Sequence, residues 1–197
     1  MKTILDEVRD DTCERGFFSN RVVGKIYEFY LSGEIKESQE YIQWFNTIRN
    51  ANAEDIVYIH VNSYGGDFFT AIQFVRVLRE TSAPVVVSIE GLCCSGATLI
   101  LMSASRYEIS PHSLFMFHNA SMASVGKVGE VYNHITAFKV LVEKLLREVY
   151  NDFFTPTELQ ELLDGKDFYM GSEEATKRLN IRNEKSPSPP KGVKRRT

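Results

Sequence analysis

Three side chains able to act as nucleophiles stand in a row in the stretch GLCCSGATLI at residues 91–100: Cys93, Cys94 and Ser95. Each needs a base to take its proton and donors to hold the negative charge that develops on a substrate oxygen. Ser95 falls where the following apolar run begins a helix, and a helix start offers unpaired N–H groups and the positive end of its dipole. Gly91 lets the chain turn sharply there, and Gly96, having no side chain, leaves its own N–H open toward a substrate carbonyl. Position favours Ser95 over the thiols, although a cluster of small residues ahead of an apolar helix more often serves tight packing.

A second glycine turn, VNSYGGD at 61–67, follows one apolar run and precedes an amphipathic one, so its N–H groups point out from a strand's carboxyl end. It lacks the spacing of a dinucleotide or nucleoside triphosphate loop, but two such turns on adjacent strands can face one cavity. In SLFMFHNAS, His118 ends an apolar strand at that same edge, where an imidazole could deprotonate a serine. An acid must orient the imidazole. DGKDFYMGSEEA offers Asp164 and Asp167, of which Asp167, next to an aromatic strand, is the better placed. No metal site is expected, because His60, His112, His118 and His134 never stand near a cysteine or one another in a zinc pattern.

The elements that must hold these groups alternate strand and helix. KIYEFYLSG reads as a strand, Tyr41, Trp44, Phe45 and Ile48 recur at helical spacing, DIVYIHV is a strand, and Phe68, Ile72, Val75 and Leu78 mark a second helix. APVVVSIEG then reads as a buried strand, SGATLILMSAS as a buried helix, and RYEIS and LFMFH as short strands, which makes the class α/β. From Val128, apolar residues at Val131, Ile135, Phe138, Val142, Leu145 and Val149 alternate by three and four over three heptads. One long helix follows, and both a core face and a seam against another subunit fit its stripe. TPTE at 155–158 supplies an N-cap, a first-turn proline and a capping-box glutamate for a short helix ending near Asp164-Gly165.

With 197 residues the chain has room for one domain with a sizeable core. Hydrophobic content of 43% and a net charge of -3 exclude a bulk electrostatic pull toward nucleic acid or membrane. Asp6, Glu7, Asp10 and Asp11 break up the start where a secretory signal needs an apolar stretch, and no segment is long and apolar enough for a membrane span, so a cytoplasmic protein is expected. Cys13, Cys93 and Cys94 are expected to be reduced. Residues 1–24 and 182–197 read as flexible ends, the second a solvated basic tail, flanking a domain at 25–181.

Across about residues 25–181 the sequence resembles the proteolytic subunit of the Clp protease, a serine peptidase family that shares its fold with the crotonases. The family's NSPGG is similar to Asn62-Ser63-Tyr64-Gly65-Gly66, its GxAAS nucleophile turn to Gly91-Leu92-Cys93-Cys94-Ser95, its strand-end histidine to His118, and its acid to Asp167 ahead of Tyr169, Glu174 and Ala175. The resemblance implies a spiral of β-β-α units with a protruding handle helix from Val128. It implies Ser95, His118 and Asp167 as the catalytic triad and Gly66 and Gly96 as oxyanion donors, with Cys93 and Cys94 as packing residues. No cofactor is implied for cleavage. Polypeptide substrates, a homo-oligomer of two stacked rings (a tetradecamer) and an AAA+ unfoldase partner are. Departures are Tyr64 for the turn proline, Asn119-Ala120 after the histidine, and His60, beside a fitting Tyr58, in the unfoldase-docking pocket; neither the first 24 residues nor the tail matches. Rival readings are a catalytically silent ring subunit, a virus-encoded capsid-maturation protease and a crotonase-like thioester enzyme, the last requiring a nucleotide-binding surface that the sequence does not display.

Overall fold

Strand β1, Ile26–Ile35, opens the fold with a two-residue alternation: Phe29, Leu31 and Ile35 turn inward while Ile26, Glu28 and Tyr30 face out. A computed structural model describes residues 24–185, so Cys13, the N-terminal segment and all of the basic tail past Lys185 lie outside the described residues. A 3-10 turn at Ser38–Tyr41 leads into α1, Ile42–Asn50, whose Phe45 and Ile48 are buried. Strand β2, Ile56–Gly66, buries Val57, Ile59 and Val61. Helix α2, Phe68–Glu80, starts at an Asp67 cap whose carboxylate accepts from both the N–H and the hydroxyl of Thr70 at 2.7 Å. Phe74 of α2 meets Tyr41 and Phe45 edge-on, which locks α1 and α2 over one face of the sheet.

Strand β3, Val85–Cys94, is central, and its Val85, Val86 and Val87 are all buried. It pairs in parallel with β2 on one side. On the other side its first half pairs with β4, Arg106–Ile109, and its second half with β5, Leu114–Phe117. Between β3 and β4 in the chain, α3, Gly96–Leu101, is buried throughout. It is shorter than the apolar run from Ser95 to Ser105 suggests, because the chain leaves the helix at Met102 to start β4. β6, Phe168–Gly171, closes the edge antiparallel to β5, giving a six-stranded sheet in a mixed α/β fold.

Helix α4, Val128–Val149, spans about 33 Å at the usual helical rise. Its stripe is divided: Val142, Leu146 and Val149 enter the core, whereas Val128, Tyr132, Ile135 and Val140 are exposed. The core thus takes one face of the helix from Val142 onward, and the turns before it carry apolar groups into solvent. Helix α5, Pro156–Leu163, has the expected capping box, with Thr155 Oγ1 accepting from Glu158 N–H and Glu158 Oε2 accepting from Thr155 N–H. Helix α6, Ser172–Lys185, continues beyond the boundary expected at 181; Arg182 in that extension donates to the Met102 carbonyl at 3.1 Å. Among the described residues no helix covers the sheet face away from α1 and α2, which exposes Ile26, Tyr30, Leu92, Leu114 and Tyr169. Among the described residues no helix is long and apolar enough to cross a membrane.

Candidate active site

One residue makes the turn from β3 into α3. Cys94 is still strand and Gly96 is already helix, so Ser95 reverses the chain alone, at φ 54° and ψ -126°. A non-glycine residue with such a φ is strained, and the surroundings must hold it. Its N–H donates to the Met116 carbonyl of β5 at 2.8 Å, and its carbonyl accepts from the Thr98 N–H at 2.9 Å and from the Thr98 hydroxyl at 2.6 Å. The Ser95 hydroxyl makes no cap bond to α3. Instead it lies 2.7 Å from His118 Nε2. With that nitrogen unprotonated, the ring accepts the hydroxyl proton, the arrangement that turns a serine into a nucleophile.

The pairing of β3 with β5 brings this contact about. Cys93 and Cys94 stand beside Phe115 and Met116, so the chain leaves β5 with His118 next to the Ser95 turn. Both cysteines are buried free thiols, and burial pushes each pKa up, that of Cys93 far up. A protonated, enclosed thiol is a poor nucleophile. Their role in the strand is packing.

The glycine turn meets Ser95 from β2. Gly65 has φ 93°, and a Cβ there would lie 2.6 Å from Ser95 Cβ and 2.7 Å from the Cys94 carbonyl oxygen. Only a glycine permits both the backbone angle and this approach. A Cβ on Gly96 would lie 3.9 Å from Gly66 N, so the two backbones proposed as oxyanion donors adjoin each other beside the serine. Gly96, as the first residue of α3, has no intrahelical acceptor for its N–H. Asn62 and Ser63 knit the turn in place: Leu92 N–H donates to Asn62 Oδ1 at 3.0 Å, and the buried Ser63 hydroxyl donates to the Gly33 carbonyl and accepts from Gly65 N–H.

Asp167 stands differently. The β5–β6 register pairs Phe117 with Phe168, and one step further it sets Asp167 across from His118. The carboxylate is exposed, and no hydrogen bond joins it to the imidazole. Asp164 caps the end of α5, where its Oδ1 accepts from Gln160. The structure therefore brings Ser95 and His118 into contact, with Gly66 and Gly96 alongside, and leaves Asp167 opposite but unbonded.

A cleft of about 280 Å³ is lined by Asn119, the residue after His118, with Ala120, Met122, Ile135, Phe138 and Leu163 among its apolar groups and Lys139 and Asp164 among its charged ones. A larger cavity, about 740 Å³, lies among α5, α6 and the end of α4; Ser95 and His118 line neither of the two. Among the described residues no group of three or more His, Cys, Asp or Glu is placed to hold a metal ion. Tyr58 and His60 lie on the open sheet face amid acids: Tyr58 donates to Glu108 at 2.6 Å, and His60 pairs with Glu90 and stacks on Tyr30 with ring centroids 4.3 Å apart.

Sequence reasoning passed over three of the groups that shape this site. Gly65 was signalled by the double glycine, but its contact with Ser95 was not. Asn119 was noted only as a departure; its side chain donates to the Leu163 carbonyl at 2.7 Å and ties the strand end to α5. Thr98 looked like one more residue in an apolar run.

A family model described as Clp protease matches residues 22–178. The ATP-dependent Clp protease proteolytic subunit 2 of Treponema denticola is 26% identical over 146 residues, covering 71% of this chain and 70% of that protein. The ATP-dependent Clp protease proteolytic subunit of Bigelowiella natans is 23% identical over 142 residues, covering 70% of this chain and 72% of that protein.

Proposed function

Because the chain belongs to the Clp protease family, whose members hydrolyse peptide bonds, we propose that it is a serine endopeptidase with Ser95 as its nucleophile. The observation that carries this reading is the 2.7 Å contact between Ser95 Oγ and His118 Nε2. In the first step Ser95 Oγ attacks the peptide carbonyl carbon while His118 takes the hydroxyl proton. The charge on the carbonyl oxygen is held by the N–H groups of Gly66 and Gly96. Collapse breaks the C–N bond, His118 returns its proton to the leaving amine, and an acyl-Ser95 ester remains. Water then attacks that ester with His118 again as base, which frees the new carboxylate and restores the serine. Asp167 is the acid that orients His118, supported by its register position. The apolar cleft that begins at Asn119, one residue past His118, suits an apolar side chain of the substrate.

Assembly belongs to the same proposal. Exposed apolar groups on α4 and on the open sheet face are what a subunit of two stacked rings would bury, and fourteen copies would enclose the sites. Unfolded polypeptide delivered by an AAA+ unfoldase is the proposed substrate, in line with the relatives' description as ATP-dependent. The compartment proposed is the cytoplasm.

The test is labelling with a serine-directed fluorophosphonate and mapping of the modified peptide, alongside cleavage of a short fluorogenic peptide. Label is expected on Ser95. Ser95→Ala and His118→Ala should each abolish turnover, and the double variant should be no slower than either, since the pair acts as a unit. Cleavage that survives Ser95→Ala but is lost in Cys94→Ala would overturn the assignment.

A further inference from the structure

Helix α4 ends on Tyr150, whose ring is only 1% exposed and whose hydroxyl lies 2.6 Å from Thr98 Oγ1. Thr98 Oγ1 also donates to the Ser95 carbonyl at 2.6 Å. A threonine hydroxyl has one proton, and that proton is committed to Ser95, so the Tyr150 hydroxyl must be the donor to Thr98. Burial pushes the phenol's pKa far up, which keeps that proton in place. The resulting chain runs from the end of the long helix, through Thr98, to the one residue between β3 and α3 with positive φ. The other side of the same ring meets Phe117 edge-on, with centroids 5.6 Å apart and planes at 81°, and Phe117 immediately precedes His118. A single side chain therefore braces both partners of the 2.7 Å contact.

We propose that Tyr150 and Thr98 are positioning residues for the peptidase site: the Tyr150–Thr98 relay holds Ser95 in its strained conformation and the Tyr150 ring seats the strand that carries His118. The inference rests on Ser95 being the nucleophile. The relay touches no substrate. Its worth is geometric, because the Thr98 hydroxyl adds a second hold on the Ser95 carbonyl beside that of the Thr98 N–H, and a loosened carbonyl would let the strained turn relax and swing Oγ away from Nε2.

Tyr150→Phe keeps the ring and removes only the hydroxyl; Thr98→Val keeps the shape and breaks the relay at its middle. In the full chain, assayed well below each variant's unfolding midpoint, both should lower kcat and the fluorophosphonate labelling rate by about tenfold with KM unchanged. The double variant should match either single variant, because one relay is cut twice. Thr98→Ser, which retains a hydroxyl, should restore the rate. Variants that melt earlier but label Ser95 at the wild-type rate would show plain packing and overturn the proposal, as would losses that multiply in the double variant. If Ser95→Ala still cleaves or labels, the parent reading fails instead, and that result is distinct from an unchanged Tyr150→Phe rate in a protein labelled at Ser95.

Discussion

Replacing Gly65 by alanine adds one methyl group at the point where the glycine turn of β2 presses on the Ser95 turn that follows β3. The new Cβ would stand 2.6 Å from Ser95 Cβ, 2.7 Å from the Cys94 carbonyl oxygen and 3.0 Å from Gly96 N. Carbon atoms pack at about 3.5–4.0 Å, so the two turns must separate by about 1 Å. All three crowded atoms belong to Ser95 or its immediate neighbours, so the separation moves the Ser95 hydroxyl away from Gly66 and disturbs its approach to His118. A displacement of about 1 Å at a reacting atom costs on the order of a hundredfold in rate. Alanine at φ 93° also carries backbone strain of about 1–2 kcal/mol. Gly33 separates the two effects: its φ is 78° and a Cβ there meets nothing within 4 Å. Gly33→Ala should therefore lower the melting temperature and leave kcat unchanged, whereas Gly65→Ala should lower both. The assay is kcat on a short fluorogenic peptide together with a melting curve for each variant. A Gly65→Ala enzyme turning over within about threefold of wild type would refute the reasoning, because the contact would then not set the nucleophile's position.

Gly96→Val should lower turnover by about a hundredfold with little change in KM, since its side chain would shift or shield the proposed oxyanion N–H; a Cβ alone would already lie 3.2 Å from Ala71 Cβ and 3.3 Å from Ile35 Cδ1, and an unchanged kcat would remove Gly96 from that role. The buried and exposed faces of α4 should respond differently to charge: Val142→Asp, at a site 4% exposed, should unfold the subunit, while Val140→Asp, at a site 64% exposed, should leave it folded and reduce the assembled mass seen by light scattering. Acid should weaken the clamp between α5 and α6, where Arg178 holds the Glu158 carboxyl down at about 2 against an ordinary 4.5. Because this pKa is depressed, its stabilisation is full above about pH 4.5 and lost as pH falls toward 2, so Glu158→Gln should cost on the order of 1–2 kcal/mol at pH 7 after allowance for solvent screening. The difference in stability from wild type should close as pH falls through that window, and a constant difference would mean that the ion pair is not its source.

The strands and helices were legible because one face of each is buried, which imposes period two on β1 and β2 and period near 3.6 on α2 and α5. The stripe on α4 was legible as a stripe but not as two surfaces, since periodicity records which residues share a face and not how far the core extends beneath it. GLCC reads as part of a turn only if a turn needs several residues. Ser95 makes it alone, so Gly91, Leu92, Cys93 and Cys94 remain in β3. Ser95, His118 and the glycines stood out because their chemistry admits few residue types. Thr98 and Tyr150, 52 residues apart, did not, because either hydroxyl alone has many explanations and only the packing of the end of α4 against α3 joins them.

Asp167 marks the boundary between these two kinds of legibility. Its type and its place ahead of an aromatic strand pointed to it, and the β5–β6 register sets it across from His118. An orienting acid needs more than the right place in the chain, because it must give up solvent to hold one imidazole N–H, and an exposed carboxylate just ahead of an edge strand has little that compels it to do so. β6 is such an edge strand within one subunit, and exposed apolar groups adjoin it at Leu114 and Tyr169. A second copy packed over that edge would remove water from Asp167 and strengthen its attraction to a protonated His118. On this argument the contact between Ser95 and His118 is a property of the single chain, and the contribution proposed for Asp167 would depend on assembly.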